Sequence, residues 1–451
     1  MSEIKGHQIL IAGGGREGQC VLSYLSDQFP DVKITVADND PGKLSGLKDL
    51  KTRSGLHWLD DLDIYDTVVR SPGVSPHLVQ FKKAKHITSA TNIFFAICPG
   101  QIIGATGTKG KSTTSSLIYR ILKTTYEDVR LVGNIGSPAL CNLKGATDRT
   151  IFVMELSSYQ LQDFRYSPHI AVILPIFEEH LNYHGNQKYY VDAKSKIVLK
   201  QKSSDYVIFY QKNGFSRDIG ESSPGLKLPY AHKSQNQPAA WLESGFIWIS
   251  ADAKSQKLIQ MSNLPIIGIA NAENAAAAIL VGLVMGVSPP QIRKALMSFQ
   301  PLEHRLEYVG DFNGINFYND SLATIPEATM HALKALGDSV ATLIAGGYDR
   351  GLNMDLLGKK LADYHIQTII LFPDTGVKIE KAIKTINPKS TIKFFNVKSM
   401  DEAVRLAYQE TPKGKICLLS PAAASFNMFC DYADRGNQFK TLVADLSSQP
   451  A

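Results

Sequence analysis

Two glycine-rich turns, each joining a short apolar strand to a helical run, and a third block of strand–helix rhythm beyond residue 300 predict an α/β protein. The length of 451 residues agrees with about three domains. Their expected boundaries are 1–97, 98–299 and 300–451.

The first unit begins with the apolar strand Gln8-Ile-Leu-Ile-Ala12, the turn Gly13-Gly-Gly-Arg-Glu-Gly18 and an amphipathic helix over 19–25. A second strand over 33–37 runs into Asp38, an acid about twenty residues past the turn, as nucleotide-binding α/β domains arrange it. This predicts a Rossmann-like N-terminal domain with Gly14, Gly15 and Asp38 as candidate ligand contacts. An ordinary structural turn is the competing reading of the glycines. A strand over 65–71 ends at Pro72-Gly73-Val74-Ser75-Pro76. Ligands bind at such strand ends, so Ser71 and Gly73 join the candidates.

The second turn is the more specific. Gln101-Ile-Ile leads into Gly104-Ala-Thr-Gly107-Thr108-Lys109-Gly110-Lys111-Ser112-Thr113-Thr114 and then a helical pattern over 115–122. Small residues turn successive backbone N–H groups toward one anion, the helix adds its positive end, Lys111 a cation, and Ser112 or Thr113 a hydroxyl for Mg2+. Ala105 stands where the strict motif has its first glycine, which lies one place earlier at Gly104. A buried strand over 150–154 then delivers Glu155, with Ser157 just beyond; an acid at a strand end beside a phosphate loop suits a hard cation.

After the strand Ala171–Pro175 come His180 and His184, four apart, and Lys194. Gly185 would end a helix there, which argues against a zinc pair and favours a single His ligand to Mg2+. Residues 203–263 read as short alternating strands, a small β-rich extension of this P-loop domain. A helix over 271–280 and another between Pro289-Pro290 and Pro301 precede the last, Rossmann-like domain.

Composition excludes several classes. The 48 basic and 42 acidic residues are interleaved, with net charge +6 and pI near 8.8, so no nucleic-acid partner is expected. Five widely spaced cysteines without a C-x-x-C pair predict a reducing compartment and no structural zinc. The first residues lead straight into a strand and no apolar run is long enough to span a bilayer, so a cytoplasmic protein without membrane insertion is expected.

Taken together, these motifs resemble the Mur ligase superfamily, ATP-dependent enzymes that add amino acids to a nucleotide-linked muramic acid, with folylpolyglutamate synthetase as a relative. Gly104–Thr114 is similar to that family's ATP loop, Gly133-Asn134-Ile135-Gly136 to its Gly-Asn-Ile-Gly segment, and Glu155-Leu-Ser-Ser158 to its strand-end acid. His180–Gly185 and Tyr190–Ile197 resemble its His and Tyr-x-x-Ala-Lys pieces, Asn271 and Asn274 its asparagine pair near adenine, and His304-Arg305 the entry to its last domain. Asn319-Asp320-Ser321, Ala345-Gly-Gly347, Ser420-Pro421-Ala422 and Arg435-Gly436-Asn437 are most similar to the glutamate-adding branch.

That resemblance implies a cytoplasmic enzyme of peptidoglycan precursor synthesis, joining D-glutamate to UDP-N-acetylmuramoyl-L-alanine through an acyl phosphate at the expense of ATP. The same chemistry with L-glutamate is the alternative, and a nicotinamide-dependent oxidoreductase is the alternative from another class. It further implies that Lys111 contacts phosphate and that Glu155 and His180 hold Mg2+. Lys194 becomes a metal ligand after carbamylation by CO2, and Arg305 and Asp320 reach the nucleotide as the last domain closes. Gly14, Gly15, Asp38, Ser71 and Gly73 are implied to contact the uridine nucleotide. Asn134 and Ser157 are further implied substrate contacts, and Thr324, Arg350, Ser425 and Tyr432 surround the amino acid. A monomer is expected. Three positions depart from the glutamate-adding pattern: Leu322 and Arg350 stand where lysines are usual, and Ala270 where histidine is. Arg350 can serve a carboxylate, but as a planar fork rather than a point charge.

Overall fold

A computed structural model describes residues 3–47, 50–179, 181–233, 237–251, 254–300, 303–361 and 364–447. Two compact units result, one comprising 1–265 and 270–299 and the other 266–269 and 300–451.

In the first unit, strands β1 (Gln8–Ala12), β2 (Lys33–Asp38), β3 (Lys51–Ser54), β4 (Thr67–Arg70) and β5 (Ile87–Thr88) form a parallel sheet in the order β3-β2-β1-β4-β5. Helices α1 (Arg16–Gln28) and α2 (Ala90–Ile97) belong to this part. The order reverses at β1, so the turn after β1 and the loop after β4 lie side by side at the crevice where such sheets bind ligands.

A second parallel sheet carries the phosphate loop. Its strands are β6 (Gln101–Thr106), β7 (Val129–Gly133), β8 (Ile151–Glu155), β9 (Ile170–Ile173), β10 (Tyr206–Tyr210) and β11 (Leu226–Tyr230), ordered β11-β10-β9-β6-β8-β7. Central strands here are apolar at nearly every position, as a sheet covered on both faces requires: Ile170–Ile173 is buried throughout. One continuous core joins Ile9, Val21 and Phe94 of the first sheet's layer to Phe152, Ile173 and Val207 of the second.

The expected β-rich extension is smaller than 203–263. β10 and β11, separated by the helix Gly214–Ser222, continue the parallel sheet, and only β12 (Ala239–Glu243), β13 (Phe246–Ala251) and β14 (Lys254–Gln260) form a separate antiparallel sheet. Short apolar runs look alike in either setting, and only pairing partners tell them apart. The cysteine reading also changes. Cys20 in α1 and Cys141 beyond β7 are joined as a disulfide across 121 residues, while Cys98, Cys417 and Cys430 are free. A long-range pair of this kind leaves no spacing signature.

The second unit holds β15 (Glu307–Phe312), β16 (Ile315–Asn319), β17 (Val340–Gly347), β18 (Thr368–Asp374), β19 (Lys393–Asn396) and β20 (Ile416–Leu419) in the order β15-β16-β20-β17-β18-β19. Only the β15–β16 hairpin is antiparallel. Among the described residues no helix is long and apolar enough to cross a membrane.

Candidate active site

The helical pattern that follows the phosphate loop starts earlier than its apolar residues suggest: α3 runs Lys111–Leu122, with Gly110 as its N-cap and no side chain capping it. Its first N–H groups therefore remain available to an anion. Gly107 and Gly110 have φ of +154° and +85°, and a Cβ at Gly110 would collide with the Asn274 amide. Only glycine meets both demands. Asn274, in the helix Ile269–Val284, donates to Asn271 Oδ1 at 3.3 Å, which sets the asparagine pair directly against the loop.

Side chains brace the loop from behind. Thr108 Oγ1 lies 2.9 Å from Tyr190 Oη and accepts from Phe177 N, and Lys109 pairs with Glu179 at 2.6 Å. Lys111 Nζ donates to the carbonyls of Gly107 and Thr108, both at 3.0 Å. Ser112 is half-buried and Thr113 buried at the start of α3.

Glu155 ends β8, one strand from β6, and is 1% exposed. Its Oε1 accepts from Asn134 Nδ2 at 2.8 Å, whereas the buried Oε2 has no partner among the described residues. A buried carboxylate oxygen without a donor is costly unless something positive meets it, so Glu155 with the Ser112 hydroxyl fits a hard cation. His180 lies outside the described residues. His184 is no metal ligand: its Nδ1 is 3.0 Å from Gln162 Oε1 and its Nε2 3.1 Å from Ser158 Oγ, occupying both nitrogens.

Lys194 lies in the helix Gln187–Ser195, whose N-cap Asn186 accepts from Tyr189 N. Its side chain is 1% exposed. Nζ donates to Gly107 O at 2.8 Å, lies 3.4 Å from Thr106 Oγ1 and sits 4.8 Å from the centre of the Tyr190 ring. Burial, reinforced by the nearby Lys111 charge, drives its pKa well below the ordinary lysine value, against the weaker pull of Glu179 and Glu155. Burial thus favours the uncharged form of this amine beside the loop.

Several predicted contacts take other partners. Asp38 Oδ2 accepts from Gly14 N at 2.8 Å and its Oδ1 from Asp40 N at 2.9 Å, so this carboxylate braces the first turn. Ser71 Oγ donates to Gly13 O at 3.1 Å; Gly15 and Gly73 face open space. Ser157 caps the short helix α4 (Ser158–Leu161) in a capping box with Gln160. Arg16 donates to Gly136 O at 2.8 Å.

In the second unit Asp320 is buried, with Oδ1 accepting from Leu306 N at 3.1 Å and Oδ2 from Ser420 Oγ at 2.8 Å. Burial raises its pKa to about 7 despite those bonds and the Arg305 charge. Its folded pKa exceeds the unfolded one, so stability declines as pH rises from about 4 to about 7 and the cost is complete above that. Asp320→Asn, an amide that keeps the Leu306 bond, is therefore expected to stabilise the chain by about 2 kcal/mol at pH 8 and by much less at pH 4. Thermal melting at both values checks this, and an equal shift at the two would refute it.

Arg350 donates to Thr324 O at 2.7 Å; Ser425 is buried and Tyr432 partly exposed, its ring 6.1 Å from that of His304. Leu322 is half-buried. The sequence did not single out burial of Arg435, whose guanidinium bonds Ser321 Oγ at 2.9 Å, Ser321 O at 2.8 Å and Ala423 O at 3.1 Å. Burial lowers its pKa to about 9. It ties the segment after β16 to the loop after β20, and its motif was the available signal.

Comparison with known proteins agrees with this arrangement. Residues 105–282 match the Mur ligase middle domain and 304–423 the glutamate ligase domain of Mur ligases. A UDP-N-acetylmuramoylalanine–D-glutamate ligase of Acetivibrio thermocellus is 33% identical over 99% of this chain and 98% of its own. One of Ligilactobacillus salivarius is 33% identical over 100% and 98%. The solved UDP-N-acetylmuramate-alanine ligase MurC from Thermotoga maritima shares the fold, with a TM-score of 0.61 at 16% identity over 98% of this chain and 100% of that one. A phosphate loop backed by Glu155 and Lys194, matches in both units and full-length relatives above 30% identity make this chain a member of the Mur ligase family of ATP-dependent amide-bond-forming ligases.

Proposed function

We propose that the chain joins D-glutamate to UDP-N-acetylmuramoyl-L-alanine, converting ATP to ADP and phosphate. The observation that carries this reading is the buried Lys194 amine against the Gly107 carbonyl, its pKa lowered by burial, with a Glu155 oxygen on the second sheet that has no partner among the described residues. The full-length D-glutamate ligase relatives support the substrates.

The substrate carboxylate attacks the γ-phosphorus in line, ADP leaves, and an acyl phosphate forms. The neutral amine of glutamate then adds to the acyl carbon; the tetrahedral adduct expels phosphate and loses a proton, leaving the amide. Lys111 and the N–H groups at the start of α3 stabilise charge on the transferred phosphoryl group. Ser112, Glu155 and His180 would hold Mg2+, which offsets phosphate charge when bound. Lys194 adds to CO2 and releases a proton, forming a carbamate that supplies a further anionic ligand. Arg350, Thr324, Ser425 and Tyr432 receive glutamate, and Arg305 and Asp320 the nucleotide. The boundaries 1–97, 98–299 and 300–451 separate the three tasks. The enzyme acts as a monomer in the cytoplasm, where its nucleotide substrates are made, although a bond such as Cys20–Cys141 is uncommon there.

Leu322, replacing a cation near the pocket, favours keeping L-glutamate as the second reading. Phosphate release with UDP-N-acetylmuramoyl-L-alanine, ATP and Mg2+ is expected with D-glutamate. Release with L-glutamate alone selects the second reading, and release with neither refutes both.

A further inference from the structure

We propose that Arg70 is a positioning residue that fixes the 71–74 loop for the uridine nucleotide, with Asp163 and Tyr183 as its anchors. This rests on the reading of Ser71 and Gly73 as nucleotide contacts.

Arg70 is the last residue of β4 and only 1% exposed, an unusual setting for arginine. A buried cation is costly unless it is paired and hydrogen-bonded. Here Asp163 Oδ2 accepts from Nε at 3.1 Å and forms an ion pair with Nη2 at 3.0 Å, although Nη2 makes no hydrogen bond among the described residues. Nη1 donates to the carbonyls of Val74 at 2.6 Å, Ser71 at 3.3 Å and Pro72 at 3.5 Å, and to Tyr183 Oη at 3.2 Å. Tyr183 in turn donates to Pro72 O at 3.0 Å. Three carbonyls of a four-residue loop without regular structure thus converge on one guanidinium and one phenol, while Gly73 faces open space. Both anchors come from the part of the chain built on the second sheet, so the loop of the first sheet is shaped by the second.

The bracket continues toward the phosphate loop. Tyr183 packs 4.9 Å from His184, His184 lies 5.3 Å from Tyr190, and Tyr190 Oη meets Thr108. If Arg70 merely held the two layers together, its loss would lower stability and leave ligand affinity of the folded protein alone. If it shapes the loop, affinity for the uridine substrate falls and affinity for ATP does not. Lysine can replace it only in part, because one ammonium lacks the fork that reaches Asp163 and the carbonyls together.

Calorimetric titration of UDP-N-acetylmuramoyl-L-alanine and of a non-hydrolysable ATP analogue into Arg70→Ala, Arg70→Lys and Tyr183→Phe tests this, with melting temperatures recorded alongside. The uridine substrate is expected to bind roughly tenfold or more weakly to Arg70→Ala, with partial recovery in Arg70→Lys, and about fivefold more weakly to Tyr183→Phe. The ATP analogue should change by less than about twofold throughout. Unchanged uridine-substrate affinity, or equal losses for both ligands, overturns the proposal. Should Arg70→Ala fail to fold, Tyr183→Phe, which keeps the ion pair, decides. Gly73→Val separates the two layers of inference: normal binding refutes the nucleotide reading of the loop, whereas lost binding beside normal Arg70 and Tyr183 variants refutes only the positioning role.

Discussion

Lys194→Ala is expected to lower kcat/KM about a thousandfold, with partial rescue by formate or acetate. The loss follows from removing the proposed anionic ligand, since only the uncharged amine can take up CO2, and burial together with the Lys111 charge shifts Lys194 toward that form. Its pH linkage distinguishes this from unfolding. With the folded pKa below the unfolded 10.5, the unfolded chain binds more protons between the two values. The buried lysine therefore costs stability at neutral pH, a cost that disappears as pH rises toward 10.5. Alanine removes that cost, so melting at neutral pH should fall little for the size of the activity loss. Turnover within threefold of the parent sinks the carbamate, and so does a large loss that no short carboxylate relieves.

Lys111→Ala should lower kcat by about a hundredfold to a thousandfold while nucleotide binding weakens far less. Its Nζ rests on the Gly107 and Thr108 carbonyls, poised over the loop that receives the phosphates. A cation matters most where charge develops during transfer, hence the larger effect on kcat than on affinity. Steady-state kinetics with ATP and the uridine substrate varied in turn would show the split. A rise in KM for ATP at constant kcat would mean that Lys111 binds the ground state and does not assist transfer.

The phosphate loop was legible because its chemistry is local. Gly107, Gly110, Lys111 and the start of α3 act through backbone angles and short spacing, and these are properties of consecutive residues. Glu155 was legible for the same reason, as the end of an apolar strand. Ser157 and Asp38 carry structural bonds that their residue types alone do not reveal. Both are hydroxyl or carboxylate groups at strand ends, as a ligand contact should be, yet one caps α4 and the other holds Gly14. The residue type states what a group can bond, and the nearest unsatisfied N–H decides what it does bond.

By itself the sequence determined the α/β class, the glycine-rich loop that opens α3, and the family resemblance, because periodicity and glycine placement constrain the backbone locally. Tertiary structure alone decided that β10 and β11 extend the parallel sheet, that Cys20 meets Cys141, that His184 is occupied, and that Arg70 and Lys194 are buried. Each depends on partners far away in the chain, and burial is what turns an arginine into a clamp or lowers the pKa of a lysine: removing water changes the free energy of charge, which no residue letter records.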